Sequence, residues 1–350
     1  MPKGVLVLNV GSSSLKAAVL EATAERAKRL WQAEAPRQGP LTEQLTHWLA
    51  PQLGPWWPQL QAAGHRLVHG GERFISATQL EPTVLEELQG ISALAPLHNP
   101  PALAAIAWLQ QLQPGLLPQW ACFDTAFHAS LPPEAYTYAL PAAWRAGGHR
   151  RYGFHGLNHQ HLAERVPCPR LISAHLGAGC SLAAIREGRS IDTSMGFTPL
   201  EGLVMASRSG SLDPGLLLHL QRQGVSLDQL EEGLQRRSGL LGLSELSGDW
   251  RRLRQAASAG HPGAQLAVAV FLHRLRQGIA AMAASLGGVD QIALSGGIGA
   301  HDATLLEELQ SSMAWLGSPG WQQIEADEEG VMARSIAQAI SDQRSGRSGV

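Results

Sequence analysis

VLVLNVGSSSLKAAVLE, from Val5 to Glu21, and LISAHLGAGCSLAAIRE, from Leu171 to Glu187, align without a gap 166 positions apart. In each, an apolar run enters a turn of glycine and small residues and leaves as a second apolar run, the pattern of a β-hairpin. Gly11 falls on Gly177, Ala17 and Ala18 on Ala183 and Ala184, and Val19 on Ile185. A turn of small residues exposes backbone N–H groups and lets a phosphate come close. Taken alone, Gly11-Ser12-Ser13-Ser14 reads equally as an ordinary β-turn. Its copy at Gly177-Ala178-Gly179 and a third cluster, Ser295 to Gly299, favour phosphate binding. Strands followed by helices, twice over, predict an α/β protein of two related lobes.

The 350 residues suit about two domains, and the 44% apolar content supplies real cores. A net charge of −2 leaves no electrostatic footprint for nucleic acid or an anionic membrane. No apolar run is read as long enough to span a bilayer, and the start MPKGVLVLNVGSSS lacks the apolar stretch of a signal peptide. Cys122, Cys168 and Cys180 have no CxxC spacing, so neither a disulfide framework nor a zinc site is implied, and a cytoplasmic location fits. Lysine occurs only at Lys3, Lys16 and Lys28. Lys16, directly after the first turn, is therefore a functional candidate.

The pattern predicts strands at Val5–Val10, Leu15–Leu20, His65–Gly71, Gln119–Phe123 and Gln291–Leu294, and a helix begun by Pro100 and Pro101. Residues 22 to 62 read as helical and broken by prolines, 192 to 213 as a polar loop, and 331 to 341 as a helix. Gly147-Gly148 marks a domain boundary. The expected lobes are 1–148, joined by the C-terminal helix 331–350, and 149–330. There is no GxxxxGK[ST] and no GxGxxG opening a helix, so the phosphate grip is assigned to hairpin turns.

The set Asn9-x-Gly-Ser-Ser-Ser-x-Lys16, HRLVHGG, APLHNPP, FDTAFH, RYGFHGLNH, HLGAG, DTSMGFTPLEG and SRSGSLDP resembles the acetate kinases and their acetokinase relatives. The resemblance runs from Asn9 to about Gly299, with a weaker echo in ADEEGVMAR. It implies duplicated ribonuclease-H-like lobes of the actin, Hsp70 and sugar-kinase type around a nucleotide cleft. It also implies transfer of the ATP γ-phosphoryl group to acetate, giving acetyl phosphate and ADP. A propionate or butyrate kinase, or a nucleotide-binding regulatory relative, remains the alternative.

The resemblance assigns Arg66 and Arg208 to the anionic substrates, which suits their planar forks. It makes His155 a donor to the transferring phosphoryl group. Asp124 matches a residue often called a proton donor or acceptor. A carboxylic acid is already ionised at neutral pH, however, so Asp124 is expected to orient Arg66, Arg208 or His155. Val68, Leu97, Phe154 and Pro199 are the implied acceptor pocket. Ser12, Ser14, Lys16 and the run His175, Leu176, Gly177, Ala178, Gly179 are implied at the phosphates. Asp249, Trp250 and Arg251 would face adenosine, with Gly297, Ile298, Gly299, Ala300 and His301 on the α-phosphate and ribose side. Asn9 and Glu328 are the implied ligands of Mg²⁺, with Mn²⁺ as a substitute, and a homodimer through the second lobe is implied. Three departures stand out: Ala178 replaces a usual Asn, Ala300 a usual Glu, and Ala206-Ser207 the usual opening of the GTRSG motif. A methylene changes affinity in such a pocket by only ~1–3 kcal/mol, so acetate and propionate are not separated by sequence.

Overall fold

The computed structural model describes residues 4–11, 14–95, 98–113 and 115–346. The chain forms two compact units, Met1–Phe127 with Asp327–Val350, and His128–Ala326. Each is built on one mixed sheet.

In the first unit the strands are β1 (Gly4–Val10), β2 (Ser14–Ala22), β3 (Ala27–Pro36), β4 (Leu60–Leu67), β5 (Thr78–Gln79) and β6 (Gln119–Phe123), in spatial order β3-β2-β1-β4-β6-β5. β1, β2 and β3 form an antiparallel meander, while β1, β4 and β6 run parallel. Val5, Leu6, Val7 and Leu8 are all buried, as a strand covered on both faces requires. Leu6, Leu8, Leu15, Ala17 and Val19 pack with Leu41, Leu45, Leu49, Leu53, Trp108 and Leu109. The helix Glu328–Arg344 lies across β1 to β4.

The second unit repeats this plan. Its strands are β7 (Arg170–Leu176), β8 (Cys180–Arg186), β9 (Arg189–Thr193), β10 (Gln291–Ser295) and β11 (Gly320–Gln323), ordered β11-β10-β7-β8-β9. β7, β8 and β9 form the meander and β7, β10 and β11 run parallel. The match of β1, β2, β3, β4 and β6 to β7, β8, β9, β10 and β11 extends the duplication beyond the two hairpins. The helix Pro262–Leu286 packs on β7, β8 and β9, and the helix Gly156–Arg165 on β7 and β10.

Four expectations change. Residues 27–36 form a strand rather than a helix. Their Ala, Glu, Lys and Arg content favours a helix, but pairing with β2 overrides it, as tertiary context does for an edge strand. The gapless alignment also slips by one at the turns. Val10 pairs with Leu15 but Leu176 with Cys180, so the residue opposite Asn9 is Lys16 and the residue opposite His175 is Ser181, not Leu182. The units divide between Phe127 and His128, ahead of Gly147. His128 and Ser130 bond to Ser190, and Arg151 Nη1 donates to the carbonyls of Thr193, Ser194 and Met195, which binds this segment into the second unit. Finally, among the described residues Pro262–Leu286 is long and apolar enough to cross a membrane. Within it Ala267, Phe271, Leu275, Ile279 and Met282 are buried, as on a helix with one face packed in its unit, and Leu266 is exposed.

Candidate active site

In the first unit, Asn9, Arg66 and Asp124 stand at or just past the carboxyl ends of parallel strands β1, β4 and β6, where α/β sheets bind ligands. Arg66 is the hub. Its Nε donates to Asp124 Oδ1 at 2.8 Å and Nη2 to Oδ2 at 2.7 Å, a two-pronged grip. Nη1 reaches Glu328 Oε2 at 2.9 Å and Asn9 Oδ1 at 3.3 Å. Burial opposes the charge on Arg66, but Asp124 and Glu328 outweigh it and hold the guanidinium more firmly protonated than usual. Asp124 is only 1% exposed and spends both oxygens on Arg66.

Glu328 opens the helix Glu328–Arg344, whose N-cap Asp327 accepts from the Gly330 N–H. Burial holds the Glu328 carboxyl above the usual carboxylate range, Arg66 only partly offsetting it. Asn9 Nδ2 donates to Glu328 Oε2 at 3.3 Å, while Oε1 has no protein partner among the described residues. Arg29 on β3 was not singled out by sequence. It holds Asp327 at 2.8 Å and Glu329 at 3.5 Å, the residues on either side of Glu328. Lys16 lies opposite Asn9, about half exposed, 3.8 Å from Glu34. Ser14 begins β2, and its carbonyl accepts from the Gly11 N–H. Val68 is half-buried just past β4. Ser12 and Leu97 lie outside the described residues.

In the second unit, the turn after β7 and the one-turn helix Gly296–Gly299 after β10 lie side by side. Gly296 has φ +80°, and a Cβ there would sit 2.6 Å from the Leu176 carbonyl, so the approach needs glycine. His155 precedes the helix Gly156–Arg165 with φ 55°, a left-handed conformation rare for a non-glycine residue. Its ring stacks on His175 at 4.2 Å. A Cβ added to Gly179 would meet Arg208 Nη2 at 2.7 Å and His155 Nε2 at 3.1 Å. The arginine and the imidazole therefore converge on the Gly179 backbone. Arg208 Nη1 donates to the Pro199 carbonyl at 2.7 Å. No carboxylate pairs with Arg208 among the described residues, and burial pulls its guanidinium below the usual arginine range. Phe154 is 1% exposed and lies in the core rather than on an open pocket wall.

Beside these turns opens a cavity of about 700 Å³. Gly177, Ala178, Asp249, Trp250, Arg251, Gly297, Ile298 and His301 line it, joined by Ala206, Gly248, Arg254, Ser258, Asp302 and Thr304. His175, Leu176, Gly179, Gly299 and Ala300 are not in the lining; Leu176 and Gly299 are buried. The Asp249 carboxylate caps the helix Trp250–Ser258, accepting from Arg251 N and Arg252 N. The Arg252 N–H holds it below the usual carboxylate range. Trp250 is a buried wall whose Nε1 donates to Asp302 Oδ2 at 2.6 Å. Arg254 lies over its ring and bonds both oxygens of Glu308. Arg254 and Asp302 carry no glycine or motif signal in the sequence, which is why pattern reading passes over them.

Residues 52–345 match the model of the acetokinase family. The chain belongs to the acetokinase family. An acetate kinase of Synechococcus sp. (strain JA-2-3B'a(2-13)) is 45% identical over 354 residues, covering 89% of this chain and 88% of that protein. Among solved structures, a propionate kinase from Francisella tularensis subsp. tularensis SCHU S4 superposes with TM-score 0.85 at 33% identity, covering 95% of this chain and 98% of that one. Porphyromonas gingivalis acetate kinase does so with TM-score 0.82 at 31% identity, covering 97% and 100%. The acetokinase fold is the actin-like fold of two related lobes, as the repeated sheets display.

Proposed function

We propose that this acetokinase transfers the γ-phosphoryl group of ATP to acetate, reversibly, giving acetyl phosphate and ADP. A carboxylate oxygen attacks phosphorus as the bond to the ADP oxygen breaks in line, and no covalent enzyme intermediate is needed. The observation that carries the reading is Arg208, a half-buried guanidinium without a carboxylate partner among the described residues, beside His155 Nε2 at a glycine turn. Both are donors placed where an anion's oxygens can be received. In the first unit Arg66 is held by Asp124 for the same charge-handling task. Because the acceptor is already ionised, Asp124 has no proton to take.

Asn9 Oδ1 and Glu328 Oε1, which has no protein partner among the described residues, are hard oxygen donors, and such a set fits Mg²⁺ or Mn²⁺. What a divalent ion supplies when bound is neutralisation of phosphate charge. The 700 Å³ cavity, walled by Trp250 and Ile298, suits the nucleoside of ATP. Exposed Leu212, Leu216, Leu218 and Leu227 on the second unit support a homodimer, and a cytoplasmic location accords with the free cysteines. The Francisella propionate kinase favours propionate as the second acceptor to test.

Trapping of acyl phosphate with hydroxylamine across acetate, propionate and butyrate decides the matter. Hydroxamate is expected with acetate, and none from any acid would end the kinase reading.

A further inference from the structure

His155 does not stand alone. Its Nδ1 lies 2.9 Å from Ser181 Oγ, and the same hydroxyl lies 2.8 Å from Nε2 of His159. His159 Nδ1 in turn lies 2.7 Å from Ser173 Oγ. Ser173, His159 and Ser181 are all fully buried. Neither serine hydroxyl has a further partner among the described residues, so Ser173, His159, Ser181 and His155 are linked in a single file.

Protons can be arranged along this file in two directions. In one, Ser173 O–H donates to His159 Nδ1, His159 Nε2–H to Ser181, and Ser181 O–H to His155 Nδ1. His155 then carries its proton on Nε2. In the other, His155 Nδ1–H donates to Ser181, Ser181 to His159 Nε2, and His159 Nδ1–H to Ser173. The Ser173 O–H is then buried without an acceptor, which native interiors avoid. Doubly protonated His155 would likewise leave either the Ser181 or the Ser173 O–H without an acceptor. Burial also holds His159 well below the usual histidine range, with His128 and His175 adding to the effect, so it stays neutral and can serve as a relay with one proton.

We infer that Ser173, His159 and Ser181 act as positioning residues that fix His155 as the neutral tautomer protonated on Nε2. That nitrogen is the one beside Arg208 Nη2 at Gly179. With a proton it donates, as the arginine does; with a lone pair it would repel a phosphoryl oxygen. The register supports the reading. Ser181 is paired with His155's stacking partner His175, and Ser173 lies two residues earlier on β7, on the same face. The inference rests on the proposed role of His155 as a phosphoryl donor, but its primary test does not.

The test is nitrogen NMR of the full chain labelled with ¹⁵N-histidine, His155 being assigned by its loss in His155→Gln. The wild type at neutral pH is expected to show His155 protonated on Nε2 and unprotonated on Nδ1. His159→Leu should lose that bias and lower kcat about 10- to 100-fold, the range seen when an orienting partner is removed, with KM for ATP and carboxylate within about twofold. His159→Gln, whose amide N–H can reach Ser181, should restore most of kcat. Should His159→Leu fail to fold, Ser173→Ala removes the hydroxyl that sets the direction and should weaken the same bias. A wild-type proton on Nδ1, or a tautomer unmoved in the variant that folds, overturns the inference. A kinase assay without product would instead refute the function while leaving the tautomer result to stand.

Discussion

At the residue scale, Arg208 and Gly179 should show that position, not charge alone, drives the chemistry. Arg208→Ala is expected to lower kcat by about 10²-fold or more, the scale of losing one preorganised donor. Circular dichroism and Tm should stay near wild type, because no ion pair in the described chain is broken. Near-normal turnover would refute the role. Gly179→Ala makes the point more sharply, since its methyl would lie 2.7 Å from Arg208 Nη2 and 3.1 Å from His155 Nε2. Turnover should fall with little loss of stability, and unchanged steady-state kinetics would show that the two groups do not act there. Such residues were legible in the sequence because each sits in a long motif: Arg66 in HRLVHGG, Asp124 in FDTAFH, His155 in GFHG. Arg29, Arg254 and Asp302 were not. Their contacts join segments far apart in the chain, Arg29 to Asp327 and Arg254 to Glu308, and no local spacing records that.

At the element scale, the helix Glu328–Arg344 shows how a distant segment completes a site. It brings Glu328 to Arg66 by packing Val331, Met332 and Ile336 on the first sheet. Ile336 is fully buried, and its Cδ1 fills the place a side chain at Gly64 of β4 would take. Ile336→Ala should therefore cost about 2–5 kcal/mol, read as a lower urea midpoint. Gly64→Ala should cost about 1–3 kcal/mol by overpacking the same contact. Stability unchanged in both would mean that the helix is not anchored there. Sequence reading found this helix but not β3 or β11. β3 is an edge strand made of helix-favouring residues, and GWQQ in β11 is too short to display a period of two.

At the scale of the whole molecule, the duplicated plan was visible in two hairpins, yet each unit uses its copy differently. Lys16 opposite Asn9 becomes Ser181 opposite His175, so one copy keeps a cation near oxygen donors and the other builds a buried histidine file. Buried histidine is in fact common to both units: His65 and His69 in the first, His159 in the second. Burial lowers His65 and His69 from 6.5 to about 4, the Gln119 hydrogen bond only partly offsetting it at His65, and lowers His159 well below 6.5. Between pH 4 and 6.5 the unfolded chain thus binds more protons at these positions than the folded one. Stability must then rise with pH across that window and be lost as pH falls through it. Each group shifted from 6.5 to about 4 contributes on the order of 3 kcal/mol by pH 4. Tm measured by scanning calorimetry should fall steeply from pH 7 to pH 5. His65→Gln, which removes one of these groups, should flatten the slope even if it lowers Tm at pH 7. A slope identical to wild type would show that His65 is not held neutral in the folded chain.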